Sequence, residues 1–222
     1  MESADRRAGD VMTGRPDLGS LVAKYRLIAI LRSVPVERAP DLARQLHAAG
    51  IRLLEVAFSD EHGEPGLQAI QALGLTDLHL GAGTVTTLER ARAARQAGAT
   101  FLLTPHLVPV VNAYAAEHGL GLICGAMTPT EIMQAWAQGS EVVKLFPAGP
   151  LGPGYVKSLL GPYPDLKLLV VGGLGASNLP EFLQAGALGA GIGGSLTCTD
   201  WANPDWAGLD ARARELIGLV TP

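Results

Sequence analysis

A chain of 222 residues, 48% apolar and only 17% charged, can bury one large core and does not read as disordered. Its net charge of −4 leaves no basic stripe to displace counterions, which speaks against a nucleic-acid partner, and no apolar run approaches the roughly 20 residues of a membrane span. Two distant cysteines, Cys124 and Cys198, lack metal-ligand spacing and read as reduced core thiols in a cytoplasmic protein.

The opening Met1–Arg15 is polar and has no apolar signal core, so residues 1–16 are expected to form an irregular tail and 17–222 a single domain. A short helix from Asp17 to Tyr25 is capped by Asp17. Leu27–Arg32 is an apolar run ending in a charge, the pattern of a strand covered on both faces. From Pro35 the period becomes helical, with Ala39, Leu42, Ala43, Leu46 and Ala49 on one face. Strands follow at Ile51–Phe58, Leu78–Gly81, Thr100–Leu103 and Leu120–Cys124. Their helices run over Glu64–Leu73, Thr87–Ala97, Val108–His118 and Pro129–Ala137. The strand around Lys144 comes next, then a Gly/Pro-rich loop and a helix over Gly154–Leu160. Leu166–Val171, Ser177–Ala185, Ala187–Ile192 and a last helix from about Pro204 to Leu219 complete the series.

Five helices close on glycine just before a strand, at Gly50, Gly98, Gly119, Gly139 and Gly186. Glycine there supplies the left-handed cap of a helix turning back into a strand. Strict alternation of strand and helix implies parallel strands with right-handed crossovers. Eight units at this length predict a single-domain α/β fold, a (β/α)8 TIM barrel with a short N-terminal helix. An open doubly wound sheet is the alternative, but no Gly-rich dinucleotide turn follows the first strand.

Barrel chemistry belongs at the C-terminal ends of the strands. Arg32, Glu55, Thr84, Thr104, Lys144, Gly172-Gly173 and Gly193-Gly194-Ser195 are the polar or glycine positions there. Lys144 sits inside Val142-Val143-Lys144-Leu145-Phe146-Pro147, where an ammonium loses its water at a cost of several kcal/mol. A desolvated amine is favoured in its neutral form, a nucleophile toward carbonyls. Lys144 is therefore a candidate Schiff-base lysine, the alternative being a side chain that snorkels to solvent. Glu55 alternates with Leu53 and Ala57. If both faces point inward, a carboxylate meets the amine and can shuttle protons; the alternative is a structural ion pair. The Arg32 fork suits a carboxylate or phosphate, or else a plain surface charge. Thr84 and the Gly83 backbone could add donors. The glycine clusters after strands seven and eight suit a phosphate, or else tight turns. The five histidines show no metal spacing.

Leu54-Glu55-Val56, Gly81-Ala82-Gly83-Thr84-Val85, Thr104-Pro105, Val143-Lys144-Leu145-Phe146-Pro147-Ala148, Val171-Gly172-Gly173 and Gly191-Ile192-Gly193-Gly194-Ser195 resemble, in order, motifs of the 2-keto-3-deoxy-6-phosphogluconate (KDPG) and 4-hydroxy-2-oxoglutarate (KHG) aldolase family. The likeness covers roughly residues 27–196. Ile28–Arg32 and the segment Phe146–Tyr155 look more like the 2-dehydro-3-deoxy-6-phosphogalactonate branch. The resemblance implies a class I aldolase that releases pyruvate and glyceraldehyde 3-phosphate. It implies a homotrimer acting on a small molecule, with no cofactor or metal beyond the covalent Schiff base on Lys144. It makes Glu55 the general acid–base, Arg32 and Thr84 the holders of the carboxylate, and Pro105 and Phe146 the pocket walls. It gives the distal phosphate to Gly172, Gly173, Gly194 and Ser195. The chain departs from the family at Ala57-Phe58-Ser59-Asp60, where many relatives place an arginine at the Ser59 position. Arg32 is expected to substitute for it, while Asp60 and Glu61 bring negative charge to the mouth. Two other readings compete with the aldolase: a phosphate-binding epimerase or isomerase using Glu55 as base, and a non-catalytic barrel that binds sugar acids.

Overall fold

The computed structural model describes residues 17–197 and 199–221. The expected tail 1–16 and Cys198 lie outside them. Eight parallel strands close a barrel in the order β1 to β8, each hydrogen-bonded to its sequence neighbours and β8 returning to β1. They are β1 Leu27–Leu31, β2 Leu53–Ala57, β3 His79–Gly83, β4 Phe101–Leu103, β5 Gly121–Ala126, β6 Val142–Leu145, β7 Leu168–Val171 and β8 Gly189–Ile192. The helices are α1 Leu18–Tyr25, α2 Ala39–Ala49, α3 Gly63–Gln71, α4 Leu88–Gln96, α5 Pro109–Glu117, α6 Pro129–Ala137, α7 Ala148–Leu151, α8 Pro153–Leu160, α9 Leu179–Gln184, α10 Gly194–Thr197 and α11 Trp206–Val220. The expected barrel is the observed one. Four-residue α7 and α10 fall in segments that read as loop.

Local chemistry accounts for the boundaries. Asp17 accepts a hydrogen bond from the Ser20 N–H at the start of α1. Thr87 does the same for α4, and Thr128 with Glu131 forms a capping box on α6. The five closing glycines all adopt positive φ, from 62° at Gly119 to 111° at Gly50, where a side chain would be strained.

Alternation along the strands creates two apolar layers. Leu54, Val56, Leu102, Val143 and Val170 face outward and pack against the helices. Ile28, Leu53, Phe101, Ile123, Val142 and Leu169 face inward, and Leu18, Leu21 and Val22 of α1 join them. So α1 seals the barrel's N-terminal end. Cys124 is a buried free thiol of the outer layer. Among the described residues no helix is long and apolar enough to cross a membrane.

Candidate active site

Two ionisable side chains interrupt the inner layer. Glu55, the middle residue of β2, is 1% exposed, and Lys144, the third residue of β6, is 5% exposed. Inward alternation brings both into the barrel, as their spacing requires. They are not a structural ion pair: among the described residues none joins them, and neither Glu55 oxygen has a hydrogen-bonding partner. A buried carboxyl without a partner is costly to leave charged. Burial accordingly raises the Glu55 carboxyl above its ordinary range, while the positive charges of Lys144 and Arg32 pull it back.

Glycines on the neighbouring strands allow close approach around these two side chains. A Cβ at Gly83 would overlap the Glu55 carboxyl. Gly125 pairs with Lys144 across β5 and β6, and a Cβ there would strike the Thr104 and Pro105 carbonyls. Thr104 is fully buried, and its hydroxyl accepts from the Gly125 N–H. The Lys144 ammonium lies 5.0 Å from the centre of the Phe146 ring, close enough for a cation–π contact. Phe146 itself is 38% exposed and packs against Gly172.

Arg32 follows β1 directly and is exposed. Its charge works against the upward push that burial gives the Glu55 carboxyl. Thr84 follows β3 and holds a left-handed backbone, φ 58°, unusual for a β-branched residue. Arg90 on α4 steadies that turn, donating to the Thr84 carbonyl at 3.1 Å and to the Thr86 hydroxyl at 2.9 Å. No sequence signal marks Arg90, because a tie from a side chain to a carbonyl six residues away has no period.

Gly172 and Gly173 follow β7 with φ of 91° and 74°. The Gly149 N–H donates to the Gly172 carbonyl, and Asn178 donates to that of Gly173. Gly194 and Ser195 open α10. The Ser195 hydroxyl donates to the Leu174 carbonyl at 2.7 Å, which stitches the two late loops together. Glu55 and Lys144 thus lie on inward strand faces, Arg32 and Thr84 follow the C-terminal ends of β1 and β3, and the Gly172 turn adjoins Phe146 beside Lys144. His62 lies on the β2–α3 loop and the exposed His106 follows β4.

A buried amine, an unpartnered carboxyl and a nearby guanidinium can perform carbonyl chemistry on an anionic substrate. Residues 18–211 match the family described as KDPG and KHG aldolase. The chain is 34% identical over 199 residues to the 2-dehydro-3-deoxy-phosphogluconate aldolase of Treponema pallidum, spanning 89% of this chain and 94% of that protein. It is 33% identical over 175 residues to the 2-dehydro-3-deoxy-6-phosphogalactonate aldolase of Escherichia coli, spanning 78% and 85%. A solved structure of the KDPG aldolase of Legionella pneumophila, with pyruvate captured at low pH as a covalent carbinolamine intermediate, superposes with a TM-score of 0.75. It is 26% identical and covers 91% of this chain and 95% of its own.

Proposed function

The chain belongs to the KDPG and KHG aldolase family of carbon–carbon lyases, and from that premise we propose a Schiff-base retro-aldol reaction centred on Lys144 and Glu55. The observation that carries this reading is the burial of both groups on inward strand faces with the carboxyl left unpartnered. A binding protein needs neither a dry nucleophile nor an idle proton carrier.

The substrate is a 2-keto-3-deoxy-6-phospho sugar acid of the gluconate or galactonate type. Lys144 Nζ attacks its C2 carbonyl and forms a carbinolamine, the stage captured in the Legionella relative. Glu55 enters protonated, as its raised pKa favours, and gives its proton to the departing hydroxyl as water leaves. The resulting carboxylate takes the proton of the C4 hydroxyl. The C3–C4 bond breaks, its electrons pass into the iminium, and glyceraldehyde 3-phosphate departs. The enamine left on Lys144 is protonated at C3, and water releases pyruvate and the free amine.

Arg32 and the Thr84 turn hold the C1 carboxylate, with Pro105 and Phe146 as walls. Arg32 supplies a planar fork for that anion. Gly172, Gly173, Gly194 and Ser195 take the phosphate at the rim, through backbone N–H groups that glycine leaves accessible. The reaction needs no cofactor beyond the lysine itself. The enzyme works as a homotrimer in the cytoplasm, and exposed Val110, Met127 and Trp136 supply apolar surface for subunit contact.

Borohydride in the presence of pyruvate tests the mechanism. It is expected to leave a pyruvate-derived mass on the peptide containing Lys144. Absence of the adduct, or full activity of Lys144→Ala, would overturn the proposal. An epimerase that uses Glu55 alone would form no adduct.

A further inference from the structure

The segment of residues 57–60 is tied to the loop that presents Arg32. Ser33 follows Arg32 and holds a left-handed backbone, φ 51°, although it is not glycine. Its hydroxyl donates to Asp60 Oδ2 at 2.7 Å, the length of a charge-assisted bond. Asp60 Oδ1 accepts the His62 backbone N–H at 3.0 Å. Both carboxylate oxygens are therefore engaged, so Asp60 is not an unattached charge at the mouth.

The loop that carries Asp60 is anchored firmly. The Phe58 N–H donates to the Gly83 carbonyl at 2.8 Å, which fixes the loop's start beside the Glu55 cradle. At its far end Gly63 packs so closely that a Cβ would strike the Ala57 carbonyl and the Phe58 Cα. On the other side, buried Val34 pins the turn after Ser33 into the core. Arg32 lies between the C-terminal end of β1 and this pinned turn.

The geometry points to Asp60 as a positioning residue: through Ser33 it fixes the turn that presents Arg32, and so sets how tightly the carboxylate of the keto acid is held. This rests on the role proposed above for Arg32. A role through charge alone has the opposite sign. A repelling carboxylate, once removed, would let an anionic substrate bind more tightly. A clasp, once opened, loosens it.

The test compares Ser33→Ala, Asp60→Ala, their combination and Glu61→Gln, which removes a neighbouring exposed charge and leaves the clasp alone. Pyruvate release from 2-keto-3-deoxy-6-phosphogluconate gives kcat and KM, and thermal melts report folding. Each clasp variant is expected to raise KM about five- to tenfold with kcat within about twofold, the signature of lost uniform binding. The double variant should be no worse than either single one, because both open the same contact. A lower KM in Asp60→Ala, matching Glu61→Gln, would overturn the clasp in favour of repulsion. Lower melting temperatures with unmoved KM would overturn it in favour of a purely structural tie. A wild-type protein that releases no pyruvate would sink the proposed function and the clasp together; an active wild type with kinetically indifferent variants sinks the clasp alone.

Discussion

The Glu55 carboxyl occupies the space that a side chain at Gly83 would fill. One missing Cβ on β3 therefore decides where the Glu55 carboxyl, the proposed proton carrier, can sit. Gly83→Ala is expected to cut kcat at least about 100-fold, the low end of what a displaced acid–base group costs. Overpacking would also lower stability by about 1–3 kcal/mol. Steady-state kinetics and thermal melts on the same preparation separate the two effects. A variant that melts early but turns over normally would show that the cradle serves folding alone.

Glu55 also links catalysis to stability. Its carboxyl is raised above 4.5 by burial, so the folded state keeps a proton that the unfolded chain sheds. Stability is then fully present below about pH 4.5 and falls as pH rises through the folded value. Glu55→Gln removes that loss. The variant should melt higher than wild type above pH 4.5, with the gap widening as pH rises, while turnover disappears. Equal melting curves across the range would mean that the buried carboxyl imposes no strain.

A pair of carboxyls, Asp17 and Glu141, fastens the plug to the strand that carries Lys144. Glu141 stands just before β6 and accepts the Gly19 N–H of α1 at 3.0 Å. Burial and the Asp17 carboxyl push Glu141 up to about 7, while the hydrogen bond from Glu141 holds Asp17 down to about 2. A protonated Glu141 therefore donates to an ionised Asp17. The contribution of Asp17 is present above 3.8 and lost as pH falls through about 2; that of Glu141 is present below 4.5 and lost as pH rises through about 7. Lys167 opposes the upward shift weakly, and His79 lines the same cleft. Hydrogen exchange of the α1 amides should speed up in wild type as pH passes about 7, beyond the intrinsic rate, and not in Glu141→Gln, which keeps a donor. Identical protection in both proteins would dismiss the latch.

The Thr84 turn offers a fourth check. A β-branched residue in left-handed backbone stores about 1–3 kcal/mol of strain, held here by Arg90. Arg90→Ala should lower stability by about 1–3 kcal/mol, the worth of hydrogen bonds from a charged donor. It should also raise KM, because Thr84 is free to relax away from the mouth. Arg90→Lys should recover part of the loss, since both bonds leave a single nitrogen, Nη1, and an ammonium can also donate twice. Wild-type kinetics in both variants would remove Arg90 from the picture.

The barrel was readable from the chain because each unit repeats one grammar: an apolar run, a periodic helix, a glycine. The closing glycines at 50, 98, 119, 139 and 186 carry that signal most clearly, and each has the backbone that its sequence context requires. Strand starts were less legible. Ile51 is buried by its size yet lies outside the paired region, which begins at Leu53. Hydrophobicity reports burial, and pairing depends on partners elsewhere. Helices α7 and α10 were invisible because four residues cannot display a period of 3.6. Lys144 and Glu55 stood out as charges in apolar runs, so the buried centre of the candidate site was legible. Asp60 was not: composition shows its charge, but only the fold shows Ser33 bound to it.

The N-terminal helix, pressed by Leu18, Leu21 and Val22 against the inner layer, turns the barrel into a cul-de-sac. On the proposed mechanism, what reacts with Lys144 arrives and departs at the C-terminal end of the strands, beside Phe146. In the proposed reaction pyruvate stays tethered to the lysine while the aldehyde is free. The aldehyde therefore leaves first, and water reaches the tethered fragment only behind it. A dead-ended corridor with one occupant chained at its far end imposes a queue, and that queue fixes the order of product release.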